Sequence, residues 1–573
     1  MHNKELRCPI EKVVAIGKQD FETIQKNNYF YIDKTNFIKE WWNNGDSVTL
    51  ITRPRRFGKT LNLNMLDYFF SNQHPNRSDL FEGLNIWQDE KYRNLQGTYP
   101  VISLSFASIK ETNYPDTERQ LCEILKKLYI QNYFLRDSNV LIDADRIFFD
   151  HMLSENVNRL DAVHALHNLS DYLYRYYEKK VIILLDEYDT PMQEAYVHGF
   201  WNELVAFTRN LFNSTFKTNP YLERGLMTGI TRVSKESIFS DLNNLEVITT
   251  TSDKYATCFG FTEDEVFAAL DDFNLGTEKE QIKHWYDGFI FGKHTDIYNP
   301  WSILNFLGKK KYIPYWANTS SNSLVSKLLR QGHAELKTSF EDLLDGKNIR
   351  CTIDEQIVYN QLDDNEDAIW SLLLASGYLK VLDYDHANLL EEGEMVTYEL
   401  ALTNYEVKRM LLTMVKDWFK PTSRYYNAFI KAMLEDDLDA MNTYMTRVAR
   451  DMFSYFDTGK QPSDEEPERF YHGFVLGLMV ELQTLYDITS NRESGFGRYD
   501  VVLEPKKPNL DAIIIEFKVF NARREKSLED TVAVALQQIE DKQYAASLIA
   551  KGIPKERIRK YGFAFDGKIV LIG

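Results

Sequence analysis

The sequence predicts an α/β protein: a parallel sheet covered by helices on both faces, and a second, smaller α/β unit near the C-terminus. Three observations lead there. Short apolar runs at 48–52, 99–106, 181–185, 225–231 and 256–261 are separated by helix-length segments such as 116–128 and 201–212, the spacing of strands joined by crossover helices. The run Val181-Ile182-Ile183-Leu184-Leu185 is apolar throughout rather than alternating, as a strand buried on both faces must be. Far downstream, residues 498–503 and 512–518 read as two strands around a turn that holds Pro505 and Pro508, since proline and Asn-Leu-Asp sequences interrupt strands.

A chain of 573 residues is too long for one hydrophobic core, and roughly three or four domains of about 150 residues are expected. The expected divisions are 1–260, 261–345, 346–455 and 456–573. The net charge of −18 argues against a large basic nucleic-acid surface, because such binding draws its affinity from neutralising phosphates. It leaves room for a small basic groove. Cys8, Cys122, Cys258 and Cys351 have no paired spacing, which fits a reducing compartment and offers no metal cluster. Residues 1–17 lack a signal-peptide core, and no run approaches the ~18 apolar residues of a membrane span. A cytoplasmic protein without membrane association is expected.

In chain order, the aromatics Phe30, Tyr31, Trp41 and Trp42 are expected to pack on the sheet, since aromatic side chains mostly serve burial. The strand at 48–52 then enters Arg53-Pro54-Arg55-Arg56-Phe57-Gly58-Lys59-Thr60, and a helical pattern follows with Leu61, Met65, Leu66, Phe69 and Phe70. A strand, a loop ending Gly-Lys-Thr and a helix form the context of a phosphate-binding loop. Arg53 stands where the usual first glycine would fall, and Pro54 has no N–H to offer a phosphate. The strand at 181–185 ends in Asp186-Glu187, and ligands in parallel sheets bind at the carboxyl ends of strands. Asp186 is therefore expected to hold Mg²⁺ through water and Glu187 to polarise an attacking water.

The loop at 53–60, the Leu-Asp-Glu-Tyr-Asp run at 185–189, and Thr228-Gly229-Ile230-Thr231-Arg232 followed by Ser237-Ile238-Phe239-Ser240 resemble the AAA-ATPase-like domain of a bacterial protein family. That family usually joins this domain to a C-terminal PD-(D/E)XK nuclease-like domain. The resemblance implies a P-loop NTPase fold of the ASCE/AAA-like type with a helical lid, a helical connecting region and a restriction-endonuclease-like C-terminal domain. It implies ATP and Mg²⁺ as cofactors. Lys59 would contact the β- and γ-phosphates, Thr60 and Asp186 would serve Mg²⁺, Glu187 would activate water, and Thr231 or Arg232 would sense the γ-phosphate. Arg55, Arg56, Phe57 and Gly58 complete the expected nucleotide-binding loop. Arg55 and Arg56 add charge near the phosphates, form a solvated basic corner, or contact another subunit of a homo-oligomer.

Thr262 with Glu265 three residues on matches a capping box and opens the segment that resembles the family's lid, where Asp287-Gly288 reads as a turn. Residues 320–460 read as mostly helical, with a strand-like run at 372–382 near Gly377.

In the C-terminal pair, a hairpin folded about 507–508 sets Asp500 opposite Ile515 or Glu516. Period-two alternation puts Glu516 and Lys518 on one face and Phe517 on the other. Two carboxylates and a lysine at one end of a sheet suit metal-assisted phosphodiester cleavage. The alternative for Asp500 taken alone is a solvent-facing strand residue. Asp, fifteen residues, then Glu-x-Lys resembles the PD-(D/E)XK core, with Tyr499 where the family name places proline. Upstream, Phe470, Tyr471, Phe474, Val475, Leu478 and Leu482 form a helical stripe; Glu468 lies one turn before Tyr471, where an upstream acid of that fold could reach the metal, and Glu481 is a second candidate. Gln538, Ile539, Lys542 and Tyr544 resemble the family's Gln-Ile-x-x-Lys-x-Tyr helix, which would bring Gln538 and Lys542 to substrate; an ordinary exposed pair is the alternative. Lys506, Lys507, Arg523, Arg524 and Lys526 supply positive charge around these strands, or form a solvated loop face. His472 is expected to pack or cap locally. The expected function is ATP binding and hydrolysis coupled to a Mg²⁺-dependent nuclease acting on DNA; the competing expectation is a nucleotide-controlled switch or scaffold that binds a partner or nucleic acid without cutting.

Overall fold

The computed structural model describes residues 12–155, 157–231, 238–239, 242–316, 323–331, 334–354, 362, 366–383, 397–418, 423–456, 466–492, 499–567 and 569–573. The chain forms two compact units, one of residues 1–321 and 350–407 and the other of 322–349 and 408–573. The stretch expected to connect the two ends is thus shared between them.

The first unit is built on five parallel strands, β1 (Val48–Thr52), β2 (Val101–Ser105), β3 (Val181–Asp186), β4 (Leu222–Gly229) and β5 (Leu245–Ile248), in the order β2-β3-β4-β1-β5. Every residue of β1 and β3 is buried, so both faces are covered, as their unbroken apolar character requires. Helices Lys59–Phe70, Tyr114–Gln131, Arg159–Tyr177 and Trp201–Phe216 supply the cover. Trp41 is 1% exposed and Trp42 stacks on Phe70 with ring centroids 5.1 Å apart, which makes the early aromatics core residues.

The fifth strand is not where the sequence suggests. Residues 256–260 form turns, because Tyr255 (φ 56°) and Gly260 (φ 84°) are left-handed and break an extended run. Tyr255, Ala256, Cys258 and Phe259 are apolar because they are buried; Leu245–Ile248 provides the edge strand instead.

The segment expected to form a lid follows. Strands β6 (Phe261–Thr262), β7 (Phe289–Phe291) and β8 (His294–Tyr298) pair antiparallel in the order β6-β8-β7, with helices Glu263–Asp272, Lys279–Tyr286 and Pro300–Lys309 packed around a core of Val266, Leu270, Ile282, Tyr286 and Phe306. The expected capping box is present: Thr262 Oγ1 accepts from the Glu265 N–H, and the Glu265 carboxylate accepts from the Thr262 N–H at 2.8 Å. The unit also holds β9 (Ile349–Thr352, entering from the second unit at Arg350), β10 (Leu379–Val381) and β11 (Thr397–Leu402), ordered β10-β11-β9. The strand-like run at 372–382 is half helix. Glu366–Ala375 is helical and Gly377, at φ 84°, ends it before β10.

The second unit centres on a mixed sheet of β12 (Tyr486–Arg492), β13 (Tyr499–Pro505), β14 (Ala512–Val519), β15 (Ile558–Asp566) and β16 (Ile569–Ile572), in sequence order. Only β14 and β15 are parallel, and helix Leu528–Asp541 makes the crossover that a parallel pair needs. On its other face the tilted rings of Phe517 and Phe563 lie with centroids 5.1 Å apart beside Phe474 of helix Glu466–Leu482. Among the described residues, no helix is long and apolar enough to cross a membrane.

Candidate functional site

At the carboxyl end of β1 the chain turns through 53–58 into the helix that begins at Lys59. Two left-handed residues, Arg56 (φ 66°) and Gly58 (φ 82°), curl the loop, and such alternation gathers backbone N–H groups into an anion-binding concavity. A side chain at Gly58 would meet nothing within 4 Å; its glycine is required by backbone conformation, not by space. Lys59 is 7% exposed, and its Nζ donates to the carbonyls of Arg53 (2.7 Å) and Pro54 (2.9 Å). Burial lowers its pKa to about 8, against the opposing pull of the Glu187, Asp186 and Asp189 carboxylates.

Strand β4 lies between β1 and β3, so the acids of β3 reach the loop across it. Thr60 Oγ1 donates to Asp186 Oδ2 at 2.7 Å, and Thr228 Oγ1, at the end of β4, donates to Asp186 Oδ1. The same Thr228 oxygen accepts from the Glu187 N–H at 3.3 Å. Glu187 is half-buried at φ 50°, an unusual conformation for a side-chain-bearing residue, and accepts from Thr190 Oγ1 at 3.2 Å. Asp189, 1% exposed, accepts from the Ile230 N–H, the Thr231 N–H and Thr231 Oγ1 at 2.9–3.0 Å. It therefore fixes the end of β4 against the acidic loop.

Arg53 belongs to the framework. It is fully buried, its guanidinium donates to the Thr249 and Lys254 carbonyls, and it lies 4.2 Å from the Phe291 ring centroid. Phe57 is likewise buried, with Phe289 and Phe291 of the lid at 4.8 and 5.4 Å. The Arg55 carbonyl accepts from Asn299 Nδ2 at 3.2 Å, its guanidinium donates to Gln193 at 3.1 Å, and Arg56 lies 4.4 Å from the Trp301 ring centroid. Around these groups is a cavity of about 580 Å³ bounded by the loop, Asp186, Glu187, Ile230, Trp301 and Phe30, among others. That is the size of pocket that takes a small organic ligand.

In the second unit, β13 and β14 pair so that Asp500 stands directly opposite Glu516. Of the two registers open from the sequence, the structure adopts this one. Glu516 is fully buried and Lys518 Nζ lies 3.9 Å from its Oε1. Lys518 Nζ also donates to Gln538 Oε1 at 2.6 Å. One strand and one helix thus bring Glu516, Lys518 and Gln538 together. Glu481 is in an ion pair with Lys416 at 3.1 Å, which occupies the second candidate for the upstream acid. Glu468 falls within helix Glu466–Leu482; its side chain, like those of Asp500 and His472, lies outside the described residues, as does Arg232 altogether.

Two family models match the chain. Residues 15–239 match the family described as predicted AAA-ATPase, AAA-ATPase-like, and residues 466–573 match the PD-(D/E)XK nuclease superfamily. The chain carries both domains. It is also similar, at 26% identity over 555 residues and 95% of each chain, to a protein of Azotobacter chroococcum mcd 1 named as an uncharacterized protein in the vnfD 5′ region.

Within the AAA-ATPase-like domain, Lys59, Thr60, Asp186 and Glu187 converge, and Thr231 is held one step away through Asp189. Thr228 and Asp189 were given no role by sequence reasoning, although both lie inside runs that carry the resemblance; each acts by holding a neighbour, which no spacing rule reveals. Trp301 and Gln193 came into the site only through tertiary packing. Within the PD-(D/E)XK domain, the Glu-x-Lys pair and Gln538 meet. Lys542 caps the C-terminal end of helix Leu528–Asp541.

Proposed function

We propose that this protein binds and hydrolyses ATP in its AAA-ATPase-like domain, and that this controls Mg²⁺-dependent cleavage of DNA by its PD-(D/E)XK domain. The observation that carries the nuclease reading is the meeting of Glu516, Lys518 and Gln538 at a strand position where Asp500 is the direct cross-strand partner. Hard carboxylate oxygens are the donors that Mg²⁺ prefers, and burying the Glu516 carboxylate is costly unless positive charge lies beside it, which Lys518 at 3.9 Å supplies and a bound cation would add to. Bound there, Mg²⁺ would supply Lewis-acid polarisation of the phosphate and a more acidic water. Lys518, oriented by the Gln538 oxygen, holds positive charge where charge develops on the phosphate.

In the ATPase reading, the Lys59 ammonium exchanges the Arg53 and Pro54 carbonyls for phosphate oxygens. Thr60 Oγ1 and Asp186 present two adjoining oxygens to a cation, and Glu187 is placed to take a proton from water. The left-handed Glu187 and its bonds to Thr228 and Thr190 support that role by fixing the carboxylate.

Metal-dependent cleavage of plasmid or single-stranded DNA tests the nuclease. Wild type should cut, and Asp500→Ala and Lys518→Ala should lose cutting while keeping the wild-type circular dichroism spectrum. Equal cleavage by both variants would overturn the assignment. Calorimetric binding of Mn²⁺ without any cleavage by wild type would instead favour a nucleotide-controlled binding module.

A further inference from the structure

The segment between β14 and helix Leu528–Asp541 follows Lys518 directly and carries Arg523, Arg524 and Lys526. It is held in one conformation by its own polar groups. The Phe520 N–H donates to the Phe565 carbonyl at 2.8 Å, and the Asn521 carbonyl accepts from the Arg524 and Glu525 N–H groups at 2.9 Å each. Asn521 Oδ1 accepts from the Arg523 N–H at 3.0 Å. Glu525 Oε2 accepts from the Asn521 N–H at 2.9 Å and from the buried Thr531 hydroxyl at 2.7 Å. Asp530 Oδ2 accepts from the N–H groups of Lys526 (2.8 Å) and Ser527 (3.2 Å), and Glu529 is bonded to Ser527, which lowers its pKa.

Charge is therefore sorted within the loop. Its carboxylates are engaged with backbone and hydroxyl donors, whereas Arg523, Arg524 and Lys526 are all exposed. Among the described residues, no carboxylate lies within 4.0 Å of their side-chain nitrogens. On a chain of net charge −18, these are three exposed cations without a direct ion pair to a described carboxylate, on a pre-ordered loop five to eight residues beyond Lys518.

We infer that Arg523, Arg524 and Lys526 bind the phosphodiester backbone of DNA beside the bond that the Glu516–Lys518 site addresses. The inference rests on the nuclease reading of that site. The loop supplies position and affinity without base readout, since phosphate contacts fix register but carry no sequence information. Its fixed backbone reduces the ordering cost of binding.

The test is fluorescence anisotropy of a labelled DNA duplex with full-length protein in Ca²⁺, over a series of salt concentrations. The comparison is between wild type and Arg523→Ala/Arg524→Ala/Lys526→Ala. Each phosphate contact contributes about 0.9 to the slope of log K against log salt, so the triple variant should lose about 2 to 3 from that slope and bind about tenfold or more weakly at moderate salt. Its melting temperature should match wild type, because the three side chains are exposed. An unchanged slope in a variant of a protein that does bind and cut DNA would overturn the loop assignment alone. Failure of wild type to bind or cut any DNA would overturn the nuclease reading and the loop assignment with it.

Discussion

At Arg53 a single residue decides how the phosphate-binding loop is read. A glycine there would leave the backbone open to a phosphate; the arginine fills the position with a buried guanidinium bonded to Thr249 and Lys254 carbonyls and stacked on Phe291. Restoring the more usual residue should therefore harm the protein. Arg53→Gly removes charged hydrogen bonds worth about 1.5–3 kcal/mol each when buried and leaves a void under the lid. A drop in melting temperature of several degrees or more is expected, with no gain in ATP affinity by calorimetry. A variant as stable as wild type would show that the guanidinium is not a framework group. The sequence showed that the glycine was absent but could not show what replaced its function, because the carbonyls that Arg53 meets lie about 200 residues away. Lys59, Thr60 and Asp186 were legible for the opposite reason: each sits at the end of a strand or the start of a helix, and parallel topology alone carries them to one edge.

Elements rather than residues explain why the lid bears on the loop. Phe57 enters the aromatic group of β7, and at Gly260 a Cβ would come within 2.7 Å of Ile297 and 2.9 Å of Phe57, so that the turn before β6 must remain glycine for the loop and this segment to pack against each other. On the same lid, Asp287 lies beside Asp296, with Lys283 bonded to Glu263 and Asp296. Burial, with the Asp296 carboxylate next, raises the Asp287 pKa to about 7. In the unfolded chain it would lose its proton near 4. Between those values the folded state binds the extra proton, so stability falls as pH rises through this window and the full penalty is present above pH 7. Asp287→Asn removes the ionisation and should raise the melting temperature at pH 8 while changing it little at pH 4.5. A larger gain at the lower pH would contradict a raised Asp287. None of this was visible in Asp287-Gly288 as a turn motif. The two residues form the junction between helix Lys279–Tyr286 and β7 rather than a turn, and Gly288 at φ 126° brings the backbone against the Thr403 carbonyl, where a Cβ would come within 2.0 Å. The misplaced fifth strand has the same cause: an apolar run shows burial, and burial in turns looks like burial in a strand until the φ angles are known.

For the whole molecule, the question is whether two sites so far apart in sequence serve one activity. The chain passes between the two units three times, after residues 321, 349 and 407, so neither unit is a simple appendage of the other in sequence. On the proposed reading, a nucleotide-dependent change in the first unit would have three covalent routes into the second, provided ATP binds the two conformations with different affinity. Coupling is reciprocal in binding free energy, and that gives a two-sided test. In wild type under non-cleaving conditions, ATP should change DNA affinity and DNA should change ATP affinity by the same factor, and ATP should also change the rate of DNA cleavage. Lys59→Ala removes the buried ammonium and should weaken ATP binding by about 2 kcal/mol or more. It should also abolish the response of cleavage to ATP while leaving the metal affinity of the second unit unchanged. Asp500→Ala, conversely, should retain ATP turnover. Cleavage by Lys59→Ala that still responds to ATP would disconnect the phosphate-binding loop from that control, and the two domains would then be independent activities in one chain.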